Sequence, residues 1–157
     1  TYKAKSIGYY PKVVLAGREI NDEVSAWVVE KLVINLAKKK LIIGGTDVLI
    51  LGYSFKENCN DPRNSKVLDI VNNLKLYNMN PVVVDPLVDK EETFQESNIS
   101  ILEEIPNKKK FQAIIIAVAH KKFCLMKKSE WLNIISSKNV IIDIKNILPL
   151  EIDAVRL

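Results

Sequence analysis

Between Tyr53 and Ser65 the chain reads YSFKENCNDPRNS, with Lys56 near the start of this polar stretch and Arg63 near its end. A lysine ammonium is a compact charge suited to phosphate or sugar oxygens, whereas an arginine fork takes two oxygens of a pyrophosphate at once. Set just before a helix, whose free N-terminal amides favour anions, the pair suits a diphosphate ligand. Asn64 or Ser65 can cap those amides. The stretch lacks G-x-G-x-x-G and G-x-x-x-x-G-K-[ST], so the ordinary dinucleotide and ATP cradles are excluded. A lysine and an arginine in a polar loop are equally compatible with plain solvation.

Two further residues bear on chemistry. His120 is the only histidine and follows an apolar run, where it either meets a ligand or orders a loop by hydrogen bonding. Asp85 ends another apolar run, where a dinucleotide domain binds ribose, but without the glycine fingerprint and before Pro86 it is expected to stabilise a turn.

The elements that must position these residues follow from apolar patterning. Asp47 to Gly52 is a continuous apolar run after Gly44-Gly45, the mark of a strand buried on both faces. Val67, Leu68, Ile70, Val71 and Leu74 recur at helical spacing, and Val82 to Val84 forms the next strand, completing a βαβ unit. Ala113 to Ala119 and Val140 to Ile144 bracket a helix around Ser129 to Ile135, and a short strand is expected near Asn98 to Ile101. The alternation predicts an α/β fold, a Rossmann-like doubly wound parallel sheet preceded by a long helix, with the strand ending at Gly52 in the middle. Ligands then belong in the crevice between the loops after Gly52 and after Ala119, with Lys56 and Arg63 facing it. The long helix is predicted from an N-cap at Asn21 to about Lys39. Its apolar arc is too wide for one contact face, which suggests a subunit interface or a second domain against it.

With 157 residues, 48% of them apolar, the chain is sized for one domain plus an attached helix. No apolar run approaches the ~20 residues of a membrane span, and Thr1-Tyr2-Lys3 looks like a cut inside a longer chain rather than a secretory signal. Two cysteines argue for a reducing compartment, so a soluble, cytoplasmic protein is expected. The net charge of +4 comes partly from lysine clusters without interleaved aromatics, which speaks against a nucleic-acid partner.

The stretch ILGYSFKENCNDPRNSKVLDI resembles the start of the C-terminal, UDP-binding domain of the UDP-glucose/GDP-mannose dehydrogenases. LAGREIND (Leu15 to Asp22), VVVDPLVD (Val82 to Asp89), AVAHKKF (Ala117 to Phe123), DIKNILP (Asp143 to Pro149) and DAVRL (Asp153 to Leu157) resemble further family segments in the same order. ENCNDPRN and AVAHKKF are most similar to the branch that oxidises UDP-N-acetylhexosamines at C6.

The resemblance implies residues 1–41 as the end of a central dimerisation helix and 42–157 as the domain that binds the UDP-sugar. It implies substrate contacts from Phe55, Lys56 and Lys145, and contact from Arg63 to the pyrophosphate of NAD held mainly by a preceding domain. The implied activity is an NAD-dependent 6-dehydrogenase that makes carboxylated precursors of surface polysaccharide, working as a homodimer without membrane or nucleic acid. The family's catalytic cysteine would lie just before Thr1, so this stretch alone is expected to be inactive and to contain no catalytic residue, with Cys59 a bystander in the loop. A different reading of the same strand-helix alternation is a non-enzymatic, flavodoxin-like nucleotide-binding or signalling module with Asp85 as its key residue.

Overall fold

The computed structural model describes the backbone of residues 12–157 and the side chains of residues 23–157. The opening of the 1–41 segment and the side chains proposed to cap a helix at Asn21 lie outside the described residues. A helix, α1 (Lys12–Lys38), leads into β1 (Asp47–Leu51), α2 (Val67–Leu76) and β2 (Asn80–Val84). Next come α3 (Lys90–Ser97), β3 (Ile101–Leu102), β4 (Phe111–Ile116), α4 (Lys121–Cys124), α5 (Lys128–Ile134), β5 (Ile135–Asp143) and β6 (Val155–Arg156).

The six strands form one sheet in the order β3-β2-β1-β4-β5-β6, and every pairing is parallel. This is the doubly wound Rossmann-like order, with β1 central as expected. The continuous apolar runs are explained by helices on both faces. Val48 and Ile50 of β1, with Ala113 and Ile115 of β4, face a core shared with α1 and α2. Leu49, Leu51, Ile114 and Ile116 face a second core completed by Phe111, Phe123, Trp131 and Ile134. A strand covered on each side has no polar face to alternate with.

Helix α1 starts nine residues before Asn21, which lies in its interior. Residues 12–20 contain no proline and only one glycine, Gly17, a cost of ~1 kcal/mol that a 27-residue helix absorbs. Val28, Leu32 and Leu36, at four-residue spacing, are fully buried with Val29 against the sheet, while Trp27 and Ile34 stay about 40% exposed on the other side. One face of the wide apolar arc is therefore covered within the chain and the other is not.

Two strand ends also differ from expectation. β4 stops at Ile116 rather than Ala119, because the amides of Ala117 and Val118 both donate to the Leu51 carbonyl and turn the chain away. β5 begins at Ile135, directly from α5, and its polar entry SSKN carried no apolar signal. The break before β1 sits where predicted, with Gly45 at φ +79°.

Candidate functional site

Strand order reverses between β1 and β4, and at their carboxyl ends opens a cleft of about 860 Å3. Ser54 and Phe55 reach it from the loop after β1, Asn64 to Lys66 from the start of α2, Val118 from the loop after β4, and Lys145 from the end of β5. Val24 and Val28 of α1 close one side. The crevice therefore lies where the topology predicts it, between the loops that follow β1 and β4.

Beneath the cleft lies a buried polar network that holds these loops. Asp85, at the end of β2, is fully buried and accepts from the amides of Tyr53 (2.7 Å) and Ser54 (3.0 Å), which begin the loop after β1. Its other oxygen accepts from the amides of Leu87 (2.9 Å) and Val88 (3.3 Å). His120, 1% exposed, places Nε2 2.9 Å from Asp85 Oδ2 and 3.1 Å from Ser54 Oγ. Its Nδ1 accepts from the amide of Asn58 at 3.0 Å. That amide requires a lone pair on Nδ1, so the imidazole is the neutral form carrying its proton on Nε2, donated to the carboxylate. Of the two readings of His120 and Asp85, loop ordering and turn formation are the ones the geometry supports. With five donors around a wholly buried carboxylate, Asp85 is closed to outside partners, which removes the ground for the signalling-module reading built on it.

Burial pushes the Asp85 carboxyl up, but the bonds from His120 and from the Tyr53, Ser54 and Leu87 amides outweigh it and hold the group down at about 2. In the unfolded chain the same carboxyl titrates near 3.8, so between about pH 4 and pH 2 the unfolded state takes up the proton more readily. Stability contributed by Asp85 is therefore complete above this window and is lost as pH falls through it, by roughly 2 kcal/mol. Urea midpoints measured from pH 6 down to pH 2 should be flat to about pH 5 and then decline. A flat profile through pH 3 contradicts the bonding described.

A second aspartate, Asp143, does for the last loop what Asp85 does for the first. It is fully buried at the end of β5 and accepts from the amides of Lys145 (3.2 Å), Ile147 (3.3 Å) and Leu148 (2.9 Å). Sequence reasoning passed over it, although Val140-Ile-Ile-Asp143 repeats the apolar-run-then-Asp pattern of Val82-Val-Val-Asp85. Ser65 stands two residues before α2: its hydroxyl donates to the Tyr53 carbonyl and accepts from the amide of Val67, the first helical residue, at 3.1 Å. Ser25 of α1 donates to the Lys66 carbonyl at 3.1 Å, fixing the long helix to the same corner.

The four contact residues suggested by resemblance divide here. Phe55 and Lys145 line the cleft, whereas Lys56 and Arg63 are exposed and are not among its lining residues. Neither cation is thus among the residues that wall this crevice. Lys56 sits on the outward projection of the loop, and the Arg63 fork is taken by Asp61, two residues earlier, with Nε at 2.8 Å and Nη2 at 2.7 Å. The fork holds the Asp61 carboxyl down at about 2 and is itself raised by it. Cys59 is a partly exposed free thiol in the same loop.

A sequence profile described as the UDP-glucose/GDP-mannose dehydrogenase family, UDP binding domain, matches residues 49–149. Across all 157 residues the chain is 40% identical to a UDP-N-acetyl-D-glucosamine 6-dehydrogenase of Salmonella typhi, and over 148 residues 40% identical to a protein of the same name from Pseudomonas aeruginosa. It spans 37% and 35% of the lengths of these two relatives. The crystal structure of an NDP-N-acetyl-D-galactosaminuronic acid dehydrogenase from Methanosarcina mazei superposes with a TM-score of 0.78. That superposition covers 94% of this chain and 32% of the other at 20% identity, a likeness of fold.

Proposed function

This chain belongs to the UDP-glucose/GDP-mannose dehydrogenase family, as its UDP-binding domain, and from that premise we propose that it supplies the nucleotide-sugar site of an NAD-dependent UDP-N-acetylhexosamine 6-dehydrogenase. The observation that carries the reading is the cleft at the strand-order switch, whose walls include Phe55 and Lys145. The Phe55 ring, 63% exposed, offers a face to a base or sugar, and Lys145 offers a charge to the diphosphate.

Lys56 reaches the same ligand from the projection above the cleft. Arg63 is 71% exposed and its fork is held by the water-screened carboxylate of Asp61, so exchanging that partner for the pyrophosphate of NAD costs it little. NAD itself is held by a second domain facing this one. Oxidation of the C6 alcohol to a carboxylate proceeds in two hydride transfers and needs a thiolate to carry the aldehyde. We assign that role to neither Cys59 nor Cys124. The uncovered side of α1, with Trp27 and Ile34, is the surface for a second subunit, and no described helix is long and apolar enough to cross a membrane. We place the enzyme in the cytoplasm, supplying precursors of a surface polysaccharide.

The test is kinetic. In the whole enzyme, Lys56→Ala should raise the KM for UDP-N-acetylhexosamine, and Arg63→Ala that for NAD, each about ten- to a hundred-fold, the range expected when a charged hydrogen-bond donor is lost. Unchanged constants in both variants would remove the loop from the mechanism.

A further inference from the structure

We propose that His120, which is too buried to touch any ligand, is a positioning residue that sets the geometry of Phe55 and Lys56 toward the sugar nucleotide; the inference rests on the reading of the cleft given above. Phe55, Lys56 and Glu57 form a short exposed projection. Its two ends are tied to one imidazole: the Nε2 proton, donated to Asp85, is shared with Ser54 Oγ as a second acceptor (3.1 Å), and Nδ1 accepts from the Asn58 amide (3.0 Å). Ser54 in turn donates its hydroxyl proton to the Lys56 carbonyl at 3.0 Å, so the bond from Nε2 reaches the backbone of Lys56 through one intervening atom.

Both attachments depend on which nitrogen carries the proton. Asp85 settles this by accepting from Nε2 at 2.9 Å, which leaves the Nδ1 lone pair for Asn58. Asn58 also takes up a left-handed backbone (φ +55°), and its side-chain oxygen accepts from the Lys121 amide at 2.8 Å. The loop after β4 thereby closes on the projection from outside while Phe123 packs beside the imidazole, ring centroids 5.7 Å apart. Without the imidazole the projection keeps the bond from the Phe55 amide to the Asp61 carbonyl (3.0 Å) and the Asn58 bond to Lys121, but loses the anchor common to its two ends.

Asparagine and glutamine each reproduce half of this arrangement, since the asparagine oxygen falls near Nδ1 and the glutamine nitrogen near Nε2. In the full chain, amide hydrogen exchange and titration with UDP are compared for the wild type, His120→Asn and His120→Gln. For His120→Gln, Asn58 should exchange about tenfold faster while Leu51 and Ile116 in the strands change little, and UDP affinity should fall about tenfold. His120→Asn should restore most of the Asn58 protection and more of the affinity than His120→Gln.

A rise in exchange shared equally by loop and strands overturns the proposal, because that is the signature of lost stability alone. So does a loosened Asn58 with unchanged UDP affinity. If the variants do not fold, the ring nitrogen shifts of the wild type decide: a proton on Nδ1 overturns the assignment, and a proton on Nε2 that persists with UDP bound supports it. Failure of the wild type to bind UDP overturns the reading of the cleft instead, while the exchange pattern still decides whether His120 orders the loop.

Discussion

Replacing Asp85 by alanine should cost the folded state about 3 to 5 kcal/mol, enough to leave a domain of ordinary stability barely folded. The substitution strands four amide donors, those of Tyr53, Ser54, Leu87 and Val88, and leaves the Nε2 proton of His120 with the weaker acceptor Ser54 Oγ. Water can rescue the amides nearest the surface, but His120 and Ser54 are 1% and 2% exposed and have no route to it without local opening. A control separates this from the ordinary cost of losing a carboxylate. Asp89 also accepts from two amides, those of Glu91 and Glu92 at 2.9 Å each, but as the exposed N-cap of α3, where an alanine costs about 1 kcal/mol. Urea denaturation should therefore show a midpoint shift for Asp85→Ala several times that for Asp89→Ala, at an unchanged slope. Equal shifts mean that the network beneath the cleft is far looser than its distances indicate.

That network also shows where reading along the chain reaches its limit. The types of Asp85 and His120 and their places at the ends of apolar runs were visible, with Asp85 expected to stabilise a turn and His120 either to meet a ligand or to order a loop. What linear order hides is that the two meet across a separation of 35 residues and that His120 meets Asn58 across 62. They do so because β2 and β4 flank β1 in the sheet, which brings the loops after all three strands to one corner. The strands themselves were legible because helices cover both faces and keep their apolar runs unbroken. Helix α3, by contrast, went unseen: KEETFQES buries only Thr93, so no apolar period exists, and the cap at Asp89 followed by Glu91 and Glu92 was its one signal. Asn21 misled for the opposite reason, a capping residue type placed inside a helix that buried packing against the sheet sustains. The cations show the same limit at the site, since their loop was recognised but the side chain that captures Arg63 was not.

Gly52 is where the sheet and the site constrain each other most tightly, and Gly52→Ala should destabilise the chain by about 3 kcal/mol or more. Two effects contribute, and they can be separated. Gly52 has φ +90°, a conformation L residues rarely adopt, and a Cβ there would lie 2.3 Å from Val118 Cβ and 3.0 Å from Val118 Cα. Val118 cannot withdraw, because its amide donates to the Leu51 carbonyl and the Gly52 amide donates to the Val84 carbonyl at 2.8 Å. Gly45 isolates the first effect, since it has φ +79° and a Cβ added there would meet nothing within 4 Å. Gly45→Ala should then cost about 1 kcal/mol of backbone strain alone, and the excess at Gly52 measures the crowding. Val118→Gly removes the two nearest atoms, so in a double-mutant cycle it should recover part of the loss, although not the contact with Val118 Cα. Strict additivity of Gly52→Ala and Val118→Gly assigns the whole effect to φ. Non-additivity makes the close approach of these two loops the reason that glycine stands directly before the segment that carries Phe55 and Lys56.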